Sequence, residues 1–328
     1  GGVTAVVKPA FRELIGTVKE KVVDGKSIPY LHPDNSRIHI RPLLPEATKS
    51  DLSMKVVIEI TKWSQPLLDP LAKITETLGH AGDHETEMQA IIRSGGFSKA
   101  FPESVQQAAH TLYETKEQIF KDALADQKRR DMRGVPTCTI DPVDAKDFDD
   151  ALSCQHLANG NYEIGIHIAD VSHYVRTGEP LDDEAKERGT SVYLVDRVIP
   201  MLPEVLSNDL CSIRPNEDRL AFSAVFELTS EAEIVNAWYG QTIIHSDKRF
   251  SYEEAQTVLD TKSGPLLTEL EVMMTLGRLL RKKRYAAGAI AFDQPEVKFE
   301  LDERGAPVRA YVKTRTETML MIEDFMLL

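Results

Sequence analysis

Residues 139–151 read Thr139-Ile-Asp-Pro-Val-Asp-Ala-Lys-Asp-Phe-Asp-Asp-Ala151, and this acidic stretch gives the strongest signal in the chain. Carboxylates held so close together repel one another unless a cation lies between them. The four that we expect to share such a cation are Asp141, Asp147, Asp149 and Asp150. All-oxygen ligation suits hard ions such as Mg²⁺ or Mn²⁺, and these ions commonly serve phosphate chemistry. The stretch therefore predicts a divalent-metal site inside a folded domain.

A solvated acidic loop is the alternative interpretation of this stretch, because acid-rich segments are common on protein surfaces. Pro142, Ala145 and Phe148 interrupt the acids, however, and apolar stretches flank them on both sides. Disordered acidic tracts rarely have that composition. We expect the remaining acid, Asp144, to be solvated or to act only indirectly.

The length and composition of the chain limit its class. With 328 residues it is long enough for two or three domains of roughly 100–200 residues each. No apolar run approaches the roughly 20 residues of a membrane span, and a net charge of −13 argues against a protein that coats DNA. Cys138, Cys154 and Cys211 form no CxxC pair, which favours a reducing, cytoplasmic location over disulfides or structural zinc. A start at Gly1 without Met and an end within an apolar helical pattern suggest a fragment.

Residues 1–80 are predicted to be rich in β-strands. Apolar and polar residues alternate at 55–61 with a period near two, and 38–40 and 72–74 resemble further short strands. Turn-forming residues such as Asp24-Gly25 separate these segments. Several short strands in so short a region predict a small barrel, and an OB-type barrel often binds single-stranded nucleic acid.

Residues 81–135 are predicted to form a helical connector. One helix ends at Gly95-Gly96, and a single longer helix extends from Pro102 to Arg130. Its far end is basic, with Lys128-Arg-Arg130 and Arg133. These cations either complement the helix dipole or contact phosphate near the acidic stretch, and the sequence leaves both explanations open.

Beyond residue 136 the pattern mixes strands and helices. A capping box at Ser251-Tyr-Glu-Glu254 opens a short helix, and a helix of some twenty residues begins at Pro265 and ends near Gly288. The predicted strands are 162–168, 221–228 and 234–244, together with a hairpin of 297–301 and 308–312.

Two weaker features also lie in this region. A basic cluster late in the long helix has two equally good explanations, helix-end charge and contact with a nucleic acid; its members are Arg278, Arg281, Lys282, Lys283 and Arg284. His167 and His173 would be ~20 Å apart along an extended strand, which argues against a histidine metal site.

Four segments together resemble the ribonuclease II/R family, whose catalytic module is the RNB domain, and are most like bacterial ribonuclease R. They are the acidic stretch, Ile166-His-Ile-Ala-Asp-Val-Ser-His-Tyr-Val175, Arg188-Gly-Thr-Ser-Val-Tyr193 followed by Val198-Ile-Pro-Met-Leu-Pro-Glu-Val-Leu-Ser-Asn208, and Leu210-Cys-Ser-Ile-Arg-Pro-Asn-Glu-Asp-Arg-Leu220. The order and spacing of all four match across residues 136–328. The resemblance implies an α+β multidomain protein with one N-terminal OB-fold barrel of the cold-shock type, a helical connector, and a mixed α/β RNB catalytic domain that is incomplete at residue 328.

The same resemblance implies an activity. It is the processive 3′→5′ hydrolysis of single-stranded RNA to nucleoside 5′-monophosphates by a monomeric, Mg²⁺-dependent enzyme, with Mn²⁺ as a possible substitute. Asp141, Asp147, Asp149 and Asp150 would be the metal ligands, and Asp149 and Asp150 would also be catalytic. A catalytic arginine of the family would lie downstream of residue 328.

The resemblance also implies contacts with RNA. Tyr193 and Phe292 would stack on the last bases, and Tyr252 and Glu323 would distinguish ribose from deoxyribose through the 2′-hydroxyl. The three aromatic residues could instead belong to the core, and Asp324 could take the role given to Glu323.

Two other functions remain open at this point. One is an RNA-binding regulator with an RNB fold and no catalysis, against which the four retained aspartates argue. The other is a metal-dependent DNA nuclease. Such an enzyme would still degrade the substrate when an RNA strand is replaced by DNA of the same sequence.

Overall fold

The computed structural model describes residues 13–23, 25–64, 68–97, 100–290, 295–303 and 305–328. The chain forms two compact units, Gly1–Ala100 and Phe101–Leu328. No helix in the described ranges is both long enough and apolar enough to cross a membrane.

The first unit is built on an antiparallel sheet with the strand order β2-β1-β3-β4. The elements are β1 (Glu13–Val23), β2 (Lys26–Pro33), β3 (Met54–Lys62), β4 (Leu71–His80) and the helix α1 (His84–Ser94). Leu43 pairs with Tyr30 of the edge strand β2 and with Leu71 of the edge strand β4. It therefore joins both edges and closes the sheet into the expected OB-type barrel, around a core that includes Leu31 and Ile58.

One strand expected in this unit is wrong. Residues 38–40 form no strand, because the chain turns at Asn35, whose carbonyl oxygen accepts from the Ile38 N–H. Ile38 and Ile40 still pack against the barrel core. The apolar alternation there reflects packing of an irregular segment and not strand pairing.

Helix α1 packs on the barrel of the first unit. Lys55 in β3 is 5% exposed, and its Nζ lies 2.9 Å from Glu87 Oε2 in α1 and 3.0 Å from Asp34 Oδ1. The expected connector at 81–135 is thus divided between the two units. Helix α1 belongs to the first unit, and the later helices of the connector belong to the second. The boundaries at residues 80 and 135 stay a prediction.

The second unit contains a seven-stranded sheet with the order β13-β6-β7-β8-β11-β12-β5. Its strands are β5 (Arg130–Asp131), β6 (Thr137–Asp141), β7 (Asp150–His156), β8 (Tyr162–Ala169), β11 (Asp218–Leu228), β12 (Ile234–His245) and β13 (Lys248–Ser251). Two hairpins lie outside it, β9 (Val192–Tyr193) with β10 (Val198–Ile199) and β14 (Val297–Leu301) with β15 (Pro307–Val312). The strands predicted at 162–168, 221–228 and 234–244 and the later hairpin are confirmed.

Helices cover both faces of this sheet. They are α2 (Glu103–Glu114), α3 (Lys116–Ala125), α4 (Val171–Tyr174), α5 (Pro180–Arg188), α6 (Tyr252–Thr261), α7 (Leu267–Ala286) and α8 (Glu317–Met326). Leu152 and Ile166 face a core shared with α6, α7 and α8. Ala151 precedes Leu152 in β7 and faces the other side of the sheet. It belongs to a core shared with α2, α3 and α5. Alternation along the strands thus divides the unit into two buried layers.

The helix boundaries follow local chemistry. The capping box at Ser251 is confirmed, because its hydroxyl accepts from the Glu254 N–H while Glu254 accepts from the Ser251 N–H. The predicted twenty-residue helix is α7, and Gly288 follows it with φ +98°. That conformation suits glycine, which explains where the helix stops.

The single helix expected from Pro102 to Arg130 is wrong. The chain forms α2 and α3, which meet at Thr115 with φ −98° and ψ 4°. The Thr115 hydroxyl donates to the Thr111 carbonyl at 2.8 Å, and the Thr115 carbonyl accepts from the Gln118 and Ile119 N–H groups as α3 begins. Helix α3 ends at Ala125, so the basic residues that follow are not in a helix.

Helix-dipole complementation is therefore wrong for these basic residues, and their contact with phosphate stays a prediction. Arg129 is buried, and its Nη2 lies 2.6 Å from Asp170 Oδ2. Arg130 lies in β5 and donates twice to Glu163 at 2.9 Å. These cations join distant strands and loops of the second unit.

Candidate active site

The acidic residues lie where two adjacent strands separate. Strand β6 ends at Asp141 and β7 begins at Asp150, and residues 142–149 between them are called the acidic loop below. The two strands pair only at Thr137 with Ser153 and at Cys138 with Leu152. The chain therefore opens into a loop at the sheet end and carries the four candidate aspartates there, together with Asp144.

Ser212 supports the second half of the acidic loop. This residue is fully buried; its Oγ accepts from the Phe148 N–H at 3.0 Å and donates to the Lys146 carbonyl at 3.2 Å. The next residue, Ile213, donates its N–H to the Phe148 carbonyl at 2.8 Å. Sequence reasoning gave Ser212 no role, although it lies in the fourth segment of the family resemblance. Its position in that segment was the available signal.

Asp141 is the most buried acid of the site, at 8% exposed. Burial and then the charge of Asp150 raise the pKa of Asp141 to about 7, while the neighbouring Thr139 and Arg249 act in the opposite direction. Its Oδ2 is buried without a hydrogen-bond partner. An ionised oxygen in that setting lacks a hydrogen bond from the protein.

Two of the other acids also have raised pKa values. Burial, followed by the charges of Asp147 and Asp150, raises the pKa of Asp149 to about 6, although this residue retains solvent contact. Burial also raises the pKa of Asp150. Asp144 is exposed, as a solvated residue would be.

Among the described residues, no three His, Cys, Asp or Glu side chains converge closely enough to enclose one metal ion. The donor set nevertheless suits a hard divalent cation, because every donor is a carboxylate oxygen and the buried Asp141 Oδ2 has no partner. The four-aspartate ligand set stays a prediction.

Tyr193 lies against this cluster. Its hydroxyl donates to Asp147 Oδ2 at 2.8 Å, while the residue as a whole is 64% exposed. Burial of the hydroxyl end and the Asp147 charge raise the pKa of Tyr193 to about 12. The aromatic ring is thus held at the acids with much of its surface accessible.

Tyr252 lies beside the acids, directly after the edge strand β13. It opens α6 directly after Ser251, which pairs with Asp141 across the parallel strands β13 and β6. Burial, then the charges of Asp141 and Asp150, raise the pKa of Tyr252 to about 12. The ring also packs against the core beneath α6 and α7. Tyr252 therefore contributes to the core and lies beside the acids at the same time.

Glu323 and Asp324 have different environments. Glu323 forms an ion pair with Arg315 near the surface. Asp324 is 1% exposed and lies 2.9 Å from Arg281 Nη2 and 2.7 Å from Arg284 Nη2. Asp324 therefore ties α8 to α7 and is committed to that role.

The same ion pairs account for the basic cluster of α7. Arg278 pairs with Glu317, and Lys283 lies 2.5 Å from Glu233 Oε1. Lys283 and Arg284 also lie in the last turn of α7, where helix-end charge places cations, and contact of the cluster with RNA stays a prediction. Phe292, the second expected stacking residue, lies outside the described residues.

The two histidines form separate structural contacts. His167 is fully buried, and its ring nitrogens share hydrogen bonds with Ser223 Oγ at 2.7 Å and Ser153 Oγ at 2.8 Å. His173 Nδ1 lies 3.1 Å from Arg129 Nη2. Cys138, Cys154 and Cys211 are free and buried.

Family models match most of the chain. A model of the RNB domain matches residues 129–328, and a model of a cold shock domain matches residues 30–102. DIS3-like exonuclease 2 of Schizosaccharomyces pombe is 40% identical over 83% of this chain and 30% of its own length. Ribonuclease R 1 of Lactococcus lactis is 37% identical over 96% of this chain and 37% of its own length. The chain thus spans about a third of the length of these relatives.

Solved structures have the same fold. Mycoplasma genitalium RNase R in complex with ribose methylated single-stranded RNA superposes with a TM-score of 0.85 at 25% identity, covering 98% of this chain and 50% of that one. Yeast Ssd1, described as a pseudonuclease, superposes with a TM-score of 0.70 at 18% identity, covering 98% and 40%; this second likeness concerns the fold alone. With an RNB domain over residues 129–328 and these relatives, the chain belongs to the RNB-domain family of ribonucleases.

Proposed function

We propose that this chain is part of a processive 3′→5′ exoribonuclease that hydrolyses single-stranded RNA to nucleoside 5′-monophosphates. The observation that carries the proposal is the cluster of coupled acids around Asp141, whose buried Oδ2 has no partner within the protein. A protein that only binds RNA has no use for mutually repelling carboxylates. Phosphodiester hydrolysis needs them if they hold a cation beside the scissile phosphate.

The four aspartates would hold this cation, with Mg²⁺ as the favoured ion and Mn²⁺ as the alternative. When bound, it would lower the pKa of the attacking water and stabilise the leaving 3′-oxygen. Asp149 and Asp150 would be the ligands nearest to the reacting phosphate. Asp147 is oriented by the Tyr193 hydroxyl, which restricts one acid before the substrate arrives.

Tyr193 would hold the terminal base of the substrate. A base stacked on an exposed aromatic ring gains ~1–3 kcal/mol without regard to sequence, which suits an enzyme that degrades varied RNA. Phe292 would provide a second face. Tyr252 and Glu323 would hydrogen-bond the ribose 2′-hydroxyl and thus select RNA over DNA.

The test compares RNA and DNA oligonucleotides of one sequence, labelled at the 5′ end, in the full-length protein and in this chain. The proposal expects the 5′-labelled RNA to be converted to a short end product without accumulating intermediates, and nucleoside 5′-monophosphates to appear by chromatography. It also expects loss of activity with a chelator and no digestion of DNA. Internal cuts, products longer than mononucleotides from the first cycles, or equal digestion of DNA would contradict it.

A non-catalytic RNA-binding regulator is the second candidate, since the fold is shared with a protein described as a pseudonuclease. Tight RNA binding without any metal-dependent release of mononucleotides would favour it. We also propose a monomeric, cytoplasmic protein, which light scattering at micromolar concentration and cell fractionation would test.

A further inference from the structure

Arg249 reaches from a neighbouring strand onto the start of the acidic loop. Strands β13 and β6 run parallel, and Arg249 pairs with Thr139, two residues before Asp141. Its Nη2 donates to the Pro142 carbonyl at 2.7 Å and to the Val143 carbonyl at 2.9 Å. One guanidinium nitrogen therefore holds the first two residues that follow the strand.

The same side chain also meets the other end of the loop. The guanidinium carbon lies 5.5 Å from the centroid of the Phe148 ring, within the range of a cation–π contact. Phe148 is the residue that Ser212 fixes through its backbone. Arg249 and Ser212 thus hold the loop from opposite sides, and Arg249 contacts both of its ends.

The α7 arginines form ion pairs with carboxylates, whereas no ion pair is described for Arg249. Its described hydrogen bonds go to carbonyl oxygens, and its Nε is buried without a partner. The guanidinium therefore fixes the backbone of the acidic loop through carbonyl oxygens.

We propose that Arg249 is the positioning residue of the candidate metal site: it fixes the acidic loop so that the aspartates are presented together to a divalent cation. The inference rests on the proposed function only in assigning a cation to the acids. Groups that orient metal ligands without touching the metal typically change its affinity by about 10–100-fold when they are removed.

The test is a Mn²⁺ titration of this chain, with free ion measured by electron paramagnetic resonance. Arg249→Met should weaken Mn²⁺ affinity by about 10-fold or more, and Arg249→Lys, which keeps the charge and can donate to carbonyl oxygens, should recover a large part of it. Lys248→Met is the matched control, because this neighbouring cation lies 5.6 Å from the Phe250 ring centroid and has no described contact with the loop. Circular dichroism checks that each variant folds.

Hydrogen exchange of the backbone amides at 143–149 is the second readout. Exchange should be faster in Arg249→Met, intermediate in Arg249→Lys and unchanged in Lys248→Met. If the unaltered chain binds Mn²⁺ and Arg249→Met binds it as tightly, the proposal is overturned. If the unaltered chain binds no Mn²⁺, the metal site of the proposed function fails, and unchanged loop exchange in Arg249→Met would then overturn the positioning role separately.

Discussion

Replacing His167 by Gln should make the second unit less sensitive to acid. The imidazole is fully buried between two serine hydroxyls, and burial, with a smaller effect of Arg130, lowers its pKa from 6.5 to about 3. In the unfolded chain the same group gains a proton below pH 6.5. The folded state therefore loses stability as the pH falls from 6.5 towards 3, and keeps it above 6.5.

The size of the effect follows from the two pKa values. At pH 5 the unfolded chain is protonated at this position while the folded chain is not, and the 1.5-unit difference from pH 6.5 corresponds to about 2 kcal/mol. At pH 7.5 the contribution is close to zero. Wild type should thus lose about 2 kcal/mol more than His167→Gln between pH 7.5 and pH 5.

Urea unfolding at the two pH values provides the assay. Trp63 and Trp238 are the two tryptophans, so a Trp63→Phe background makes fluorescence report on Trp238 in β12 of the second unit. His110→Gln is the control for loss of a histidine as such, because His110 is exposed on α2 beside Glu114. Equal pH dependence in wild type and His167→Gln would refute the buried, neutral histidine.

Three further predictions concern the site and its support. Asp149→Asn should abolish RNA hydrolysis, by ~10³-fold or more, yet leave RNA binding within about threefold, because one charge is removed where the reaction occurs; full activity in a ladder assay would contradict the site. Tyr193→Ala should lengthen the limit product of digestion, whereas Tyr193→Phe, which keeps the ring, should not, and an unchanged end-product length in Tyr193→Ala would count against stacking. Asp324→Asn should lower the free energy of unfolding by about 3 kcal/mol, since two arginines lose a buried partner; an unchanged urea midpoint would show that the ion pairs contribute little.

Much of the fold could be predicted where a local sequence pattern marks an element. The alternation at Val56 and Ile58 and the Ser251 capping box are local signals, and both predictions held. The apolar residues at Ile38 and Ile40 misled because a loop that packs on a barrel can alternate in the same way. The break at Thr115 was missed because no glycine or proline marks it and threonine is tolerated within helices.

Only part of the site could be predicted from the sequence. Its acids are neighbours in the sequence, whereas the groups that hold them are not: Ser212 contacts the loop across 64 residues and Arg249 across 107. The partners of the basic clusters were hidden in the same way, since Arg281 and Asp324 are 43 residues apart. Local patterns show which groups carry charge, but only the folded chain shows where each charge is compensated.

The edge strands of the seven-stranded sheet have a consequence for how the protein behaves at high concentration. Strand β5 has two residues at one edge and β13 has four at the other. Such short edges give an incoming strand little template for hydrogen bonding, and natural sheets limit amyloid-type growth by this means. Precipitation during purification would therefore start from exposed apolar side chains more readily than from extension of this sheet.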